Sequence, residues 1–455
     1  MALIIKKICR EQRMFIKKLI KFRILKKAIH IFVALSFFLS TLPQVYANPP
    51  SNTPSQAIPE TRDMGKIQVD TGSAGQNQPK LDQAPNGVPI VQIVQPNSNG
   101  ISHNKFQDFN VGPAGLILNN SQVYGRSNLG GMILGNPNLQ QGASARLIIN
   151  EVTSSNPSEL WGFTEIFGHP AEYILANPNG IYANGAGFIN IPRVTLSTGI
   201  PQFDPRTGGI KALMVDQGKV IVGPRGLSLQ GLDFFDVVAR ATEINGLISA
   251  PGNNTTDVRI HTGPQHFNYK DRKTEAKEEG KGEKPVWGID AAALGGLHAG
   301  RITLVATEQG VGVRTPKNMV ARAEDMIVTA DGQIILNDME AKGKVHVHSK
   351  NNDVIIAENK TVHSDTEVNL EAKKKILVEE NATLQSQKKT LVQAQHLENR
   401  GEIHGTSEAE IKVQDHLFNT QGAKINSDHN LKITANTLDN AGKIKGQGPT
   451  DIQAT

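Results

Sequence analysis

One cysteine, Cys9, occurs in 455 residues, aromatic residues make up 5% of the chain, and tryptophan is limited to Trp161 and Trp287. A lone thiol excludes a disulfide scaffold and any cysteine-based metal centre. No segment of 10–15 residues carries the i, i+3, i+4 apolar spacing of a helix between strands, which excludes an α/β enzyme. No phosphate-binding Gly-rich loop, no His-Glu-x-x-His and no Gly-x-Ser-x-Gly occurs. Gly-Gly-x-Gly-x-Asp calcium repeats and the Leu/Asn ladder of leucine-rich repeats are also missing. The sole long apolar run, Ile29 to Leu42, is shorter than the ~20 residues of a spanning helix. The sequence therefore predicts no enzyme, no cofactor and no metal site.

Ten basic residues from Lys6 to Lys27 precede that run, and Pro43 and Val45-Tyr46-Ala47 follow it. This is the order of an extended secretory signal, residues 1–47, cut between Ala47 and Asn48 after passage through the Sec machinery. Removing it changes the charge argument. The remaining 408 residues carry 38 basic and 42 acidic side chains, a net of −4, so the sequence pI near 9.0 belongs to the signal. A nucleic-acid partner read from that pI would be wrong, and none is expected. Cys9 leaves with the signal too. A large exported chain free of thiols suggests passage through a second membrane unfolded, where a cross-link would jam.

What the chain has is a period. Leu397, Leu417 and Leu438 step by 20 and 21, as do Ile411, Leu431 and Ile452, each group followed by Asn, Gly or Asp. Each unit holds two or three short strands that alternate apolar and polar residues. A 20-residue unit cannot bury its apolar face alone, but stacked copies can. The expected fold is all-β, a parallel β-helix of about 20-residue coils, fitting the 43 glycines of a chain that turns often.

Residues 48–66 read as a flexible leader, 67–314 as a strand-rich domain, and 315–455 as a regular repeat shaft. The pattern stops in mid-unit at Ile452-Gln453-Ala454, as in a truncated gene. The mixed-charge run 270–284 is expected to be a solvated loop. The near-twins Asn136-Pro137-Asn138-Leu139 and Asn177-Pro178-Asn179-Gly180 are turns with a mechanism. Asn caps its own backbone, Pro sets φ, and the third residue tolerates bridge or left-handed backbone. Their 41-residue separation is close to two coils.

Other candidates are weak. His346 and His348 alternate on a strand, short of a metal site. Asp325, Asp331 and Asp338 are spaced by 6 and 7, against the coil period, which argues against a calcium-dependent polysaccharide lyase on the same fold. Lys373-Lys374-Lys375 and Lys388-Lys389 read as solubilising charge, and the tryptophans as core or cap residues.

A set of blocks runs from Pro85 to Arg314. It includes Pro85-Asn86-Gly87-Val88-Pro89, Gly100-Ile101-Ser102-His103-Asn104-Lys105-Phe106 with Phe109-Asn110-Val111, and Gly115-Leu116-Ile117-Leu118-Asn119-Asn120-Ser121. Gly135 to Leu139, Asn150-Glu151-Val152-Thr153-Ser154-Ser155-Asn156-Pro157, Ala176 to Ile181, Gly187-Phe188-Ile189-Asn190, Ala306-Thr307-Glu308 and Gly310-Val311-Gly312-Val313-Arg314 continue it. In order and spacing these blocks are similar to the filamentous haemagglutinin-like two-partner secretion (TpsA) family. The resemblance implies a right-handed β-helix with an N-terminal cap, recognised by the periplasmic part of an outer-membrane β-barrel transporter (TpsB type) of a Gram-negative cell. It implies a secreted or surface-exposed adhesin meeting a host-cell surface or glycan receptor. The alternative is the N-terminal carrier of a contact-dependent inhibition toxin. It also marks the two Asn-Pro-Asn turns as the secretion motifs. One departure stands out: Ala183 and Ala186 occupy the positions of a cysteine pair found in many members. Val378-Glu379-Glu380-Asn381 is only a loose echo of the family's toxin-boundary motif.

Overall fold

The structure, a computed structural model, describes residues 65–139, 142–252, 254–291 and 295–454. The signal, its Ala47–Asn48 cleavage point, Cys9 and nearly all of the leader lie outside the described residues.

The described chain winds as a three-faced parallel β-helix with no α-helix among the described residues; two short 3-10 turns, Gly75–Asn77 and Pro137–Leu139, are the nearest approach. One coil shows the plan. Met326–Ala330 lies on the first face, Ile334–Leu336 on the second and Asp338–Ala341 on the third. Each pairs in parallel with the equivalent strand of the next coil, Val345–Ser349, Val354–Ile356 and Thr361–Ser364. Turns separate the faces because a 20-residue coil must change direction every six or seven residues. Strict alternation inside each strand buries every second side chain, as in Val345-His346-Val347-His348-Ser349, where the valines point inward.

The inner stack Val328, Val347, Leu370, Val392, Ile411 and Ile433 runs through six successive coils in register, all fully buried. Burial of each side chain of this size stabilises by about 1.5–3 kcal/mol, so neighbouring coils hold one another. The repeats that the sequence indicates are present. Leu397, Leu417 and Leu438 pair directly, as do Ile403, Ile425 and Ile444. One alignment is corrected. Ile411 pairs with Ile433 rather than Leu431, and Ile433 with Ile452. A shift of two residues keeps every apolar side chain on the same face, so pattern alone does not separate the two registers.

At the N-terminal end the solenoid is closed by antiparallel strands. Ile67–Val69 runs against Ile101–Phe109, and Lys80–Gln83 against Pro89–Gln92. These cover the first coil's open edge, where unpaired N–H and C=O groups would otherwise template association.

Besides the first coil, whose first-face partners step from Ile101 to Leu147, two coils are much longer than the rest. First-face partners step from Thr195 to Asp236 and from Arg259 to Thr303, twice the normal interval. The surplus folds outside the helix as a four-stranded antiparallel sheet. Ile200–Phe203 pairs with Ile210–Val215, that strand with Gln265–Asn268, and the last with Thr274–Ala276. It covers a second core on the outer surface of the first face, with Ile149, Ile174, Val238, Leu213 and Phe267 buried together. The run 270–284 is therefore not a solvated loop throughout. Thr274–Ala276 is a strand, and Arg272, with φ 57, is buried beneath it. A smaller hairpin, Gly125–Ser127 with Gly131–Ile133, lies over the third face and seals a third core with Ile117, Phe167 and Ile133.

Candidate functional site

Both Asn-Pro-Asn segments are turns built as expected. The backbone N–H of Leu139 donates to the Asn136 carbonyl at 3.1 Å, and that of Gly180 to the Asn177 carbonyl at 3.1 Å. In each, the first Asn Oδ1 accepts from the N–H two residues on, at 2.9 Å from Asn138 and 3.0 Å from Asn179. Neither third-position Asn is left-handed; the positive φ falls on Gly180, at 117°. A Cβ there would sit 3.0 Å from the Lys219 carbonyl, so glycine is needed for closeness as well as for φ.

The amide groups face inward. Asn136 Nδ2 donates to the Ile93 and Asn119 carbonyls at 2.9 Å, and Asn177 Nδ2 to the Asn156 carbonyl and Ser158 Oγ at 2.9 and 3.0 Å. Asn138 Nδ2 reaches the Ile93 carbonyl and Asn179 Nδ2 the Ser154 carbonyl. Each turn is thus a four-residue clamp on chain 17–45 residues upstream. Asn136 and Asn177 are buried; Pro137 is exposed and Pro178 half-buried.

Their relation is not two coils of one ladder. Ala176 pairs with Glu151 below and Ser197 above, so the coil equivalents of Asn177 are Val152 and Thr198. Asn136 instead closes the base of the third-face hairpin, its N–H donating to the Ser121 carbonyl at 2.7 Å. The 41-residue separation is a coincidence of length: Asn136 sits between the hairpin and the first-face strand Leu147–Val152, whereas Asn177 follows the first-face strand Glu172–Ala176 one coil later.

Sequence reasoning missed a buried ion cluster under the outer sheet. The Asp236 carboxylate, with no solvent exposure, accepts from Arg193 Nε at 3.0 Å and Arg272 Nε at 2.9 Å. Arg272 Nη1 donates to Asp257 at 2.8 Å, and the Arg193 guanidinium lies 3.9 Å from the centre of the Tyr269 ring. Tyr269 O–H donates to Glu172 at 2.6 Å, and burial chiefly holds its phenol well above the usual range. The available signal was a charge inside an apolar run, Phe234-Phe235-Asp236-Val237-Val238. A strand with that pattern is covered on both faces, so the carboxylate must find cations there.

His261 lies beside this cluster, its Nδ1 2.9 Å from Thr274 Oγ1. Burial first, and then Arg259 and Arg272 against the opposing carboxylates Asp236 and Asp257, push its pKa down to about 4. The folded chain therefore keeps it neutral while the unfolded chain protonates near 6.5. Stability present above pH 6.5 is lost as pH falls from about 6.5 to about 4, by up to roughly 3 kcal/mol. Urea melts of the purified chain should show this slope, and His261→Gln should flatten it. An unchanged slope in the variant would assign the acid sensitivity elsewhere.

The remaining candidates do not converge. His346 and His348 share the outer side of their strand with ring centres 6.4 Å apart, and no group of three potential ligands surrounds a metal position among the described residues. Asp325 accepts from the Lys344 N–H, Asp331 from the Gly310 N–H and Asp338 from Lys360 Nζ and the Thr361 N–H. Each ties its coil to a neighbouring one. Trp161 and Trp287 are half-buried rather than core, the former edge-on to Tyr182, the latter near the Arg314 guanidinium. Ala183 and Ala186 are buried in the main core, and the intervening turn is held by Asn184 Oδ1 accepting the Arg225 N–H and by Gly185 at φ 85.

The chain has counterparts among known proteins. The model of the TPS secretion domain matches residues 67–336. The chain belongs to this family. The 16S rRNA endonuclease CdiA of Enterobacter cloacae subsp. cloacae is 44% identical over 269 residues, 59% of this chain and 8% of that protein. The tRNA nuclease CdiA of Escherichia coli O6:K15:H31 is 42% identical over 275 residues, 60% of this chain and again 8% of its own length. The chain thus spans less than a tenth of these curated relatives. Among solved structures, the filamentous hemagglutinin secretion domain covers 86% of this chain and is itself covered completely, with a TM-score of 0.54 and 27% identity. A TPS secretion domain implies a TpsB-type outer-membrane transporter as partner, and secretion or surface exposure in a Gram-negative bacterium.

Proposed function

We propose that this chain is the N-terminal portion of a filamentous surface or secreted protein exported by two-partner secretion, the first reading being a haemagglutinin-like adhesin. The match of the TPS secretion domain model to residues 67–336 carries this reading. In it the Sec machinery delivers the chain to the periplasm, with cleavage after Ala47. Residues 67–314 engage the transporter, and 315–455 begin the shaft that reaches a host-cell or glycan receptor. The chain is not itself an enzyme and binds no nucleic acid; the nuclease activities in the relatives' names belong to proteins of which it spans 8%.

The secretion motifs act by shape. Asn136, Asn138, Asn177 and Asn179 have their amides engaged within the fold. Loss of one alters geometry rather than removing a contact offered to the partner. Asn177→Ala leaves the Asn156 carbonyl and the Asn179 N–H without their partner and should cost roughly 1–3 kcal/mol. Extracellular protein should fall severalfold while signal processing in the periplasm continues. Wild-type amounts in the medium would count against the motif's role.

A second reading, carriage of a contact-dependent inhibition toxin, is favoured by the relatives' names. Growth of target cells mixed with producers separates the two: killing that needs the transporter and is relieved by an immunity gene downstream supports the carrier.

A further inference from the structure

The hairpin Gly125–Ser127/Gly131–Ile133 reverses the usual arrangement of a surface ribbon. Its inner side is packed as alternation requires: Ile133 and Ser127 are buried, and Leu129 joins the core formed with Ile117 and Phe167. Its outer side should then be polar. Arg126 meets that expectation, but its partner Met132 is 46% exposed, and Val123, Tyr124 and Leu134, which flank the two strands at their base, are 69%, 61% and 72% exposed. No other short segment of the described chain gathers so many exposed large apolar side chains.

The ribbon is held rigid at both ends. At its tip the buried Glu165 carboxylate accepts from Ser127 Oγ at 2.7 Å, the Asn128 N–H at 2.7 Å, Asn128 Nδ2 at 3.0 Å and the Leu129 N–H at 2.8 Å. At its base the Asn136 N–H donates to the Ser121 carbonyl, and Asn119 Nδ2 to the Leu134 carbonyl at 3.0 Å. A two-stranded ribbon alone is only marginally stable in water. Here it is clamped, so its apolar face costs little entropy to present to a partner.

We propose that this outer face is the docking surface for the transporter's periplasmic part, through an apolar patch on that partner; the proposal rests on the two-partner secretion reading. The size of the patch decides between occupants. Four such side chains offer on the order of 400 Å² of apolar surface, about half of the ~800 Å² per partner that a stable complex buries. A second copy of this chain would not be held by it, whereas a transporter that must seize and release its cargo needs contact of that scale. The arrangement also gives the first Asn-Pro-Asn turn its role: Asn136 locks the base of the ribbon that carries the docking surface.

The test uses the full chain with its signal, produced with its transporter. The variant Val123→Ser/Tyr124→Ser/Leu134→Ser should reduce extracellular protein at least tenfold and leave processed chain in the periplasm. Its urea midpoint after purification should be unchanged. If the triple variant is destabilised, the single variants Val123→Ser and Leu134→Ser with normal midpoints must each still lower export. A benzophenone side chain introduced at Val123 should cross-link to the transporter on illumination in living cells. Wild-type export of the stable variants, or adducts to a second copy of the chain, overturns the proposal. Release of wild-type chain from cells lacking the transporter would overturn the two-partner reading itself, independently of the hairpin.

Discussion

Replacing Asn99 and Thr207 with cysteine should arrest the chain in the periplasm under oxidising conditions and free it when reductant is added. The two residues lie 108 positions apart, yet Asn99 Nδ2 donates to the Thr207 carbonyl, and Asn97 Nδ2 reaches the neighbouring Gly208 carbonyl at 3.0 Å. Both lie on the surface, so the exchange leaves the core intact. A disulfide here closes a loop of over a hundred residues, which cannot thread a pore as one extended strand. By contrast, restoring cysteines at Ala183 and Ala186 encloses only two residues and should leave export near normal. The absence of any cysteine after Cys9 then has a transport explanation. Gel mobility before and after reduction reports whether the long loop has closed. Quantitative closure combined with wild-type export would sink the unfolded-passage account.

Asp236→Ala should destabilise the secretion domain by roughly 3–5 kcal/mol, the usual result of stripping a buried charge pair of one partner. Arg193 and Arg272 would remain under the outer sheet, each deprived of a carboxylate 3.0 or 2.9 Å away. Their burial is nearly complete, so water cannot replace it cheaply. Tryptophan fluorescence during urea unfolding can follow the loss, because Trp161 and Trp287 both lie within residues 67–336. If Asp236 is removed together with Arg193 and Arg272, all as leucine, much of the stability should return, since Asp257, which loses Arg272, keeps Arg259 at 3.0 Å. Equal midpoints for Asp236→Ala and the wild type would mean the cluster is hydrated in solution and contributes little.

The sequence by itself determined the kind of object this is. Alternation in Val345-His346-Val347 and its neighbours, with turn residues every few positions, admits a half-buried strand and little else. The recurrence of Leu397, Leu417 and Leu438 says that such strands stack. Both Asn-Pro-Asn turns were legible because an Asn side chain and a Pro ring act on backbone within two residues of themselves. The tertiary structure alone decided which coil meets which. Pairing Ile411 with Ile433 instead of Leu431 preserves the apolar face, so nothing local distinguishes the registers. It also decided that Asn136 belongs to a hairpin base rather than to the ladder of Asn177. The charged run around Arg272 looked like solvent-exposed chain because its carboxylate partners, Asp236 and Asp257, lie 36 and 15 residues away. Local chemistry is written in neighbouring residues, whereas register and the burial of charge depend on contacts between residues that meet only once the chain has wound.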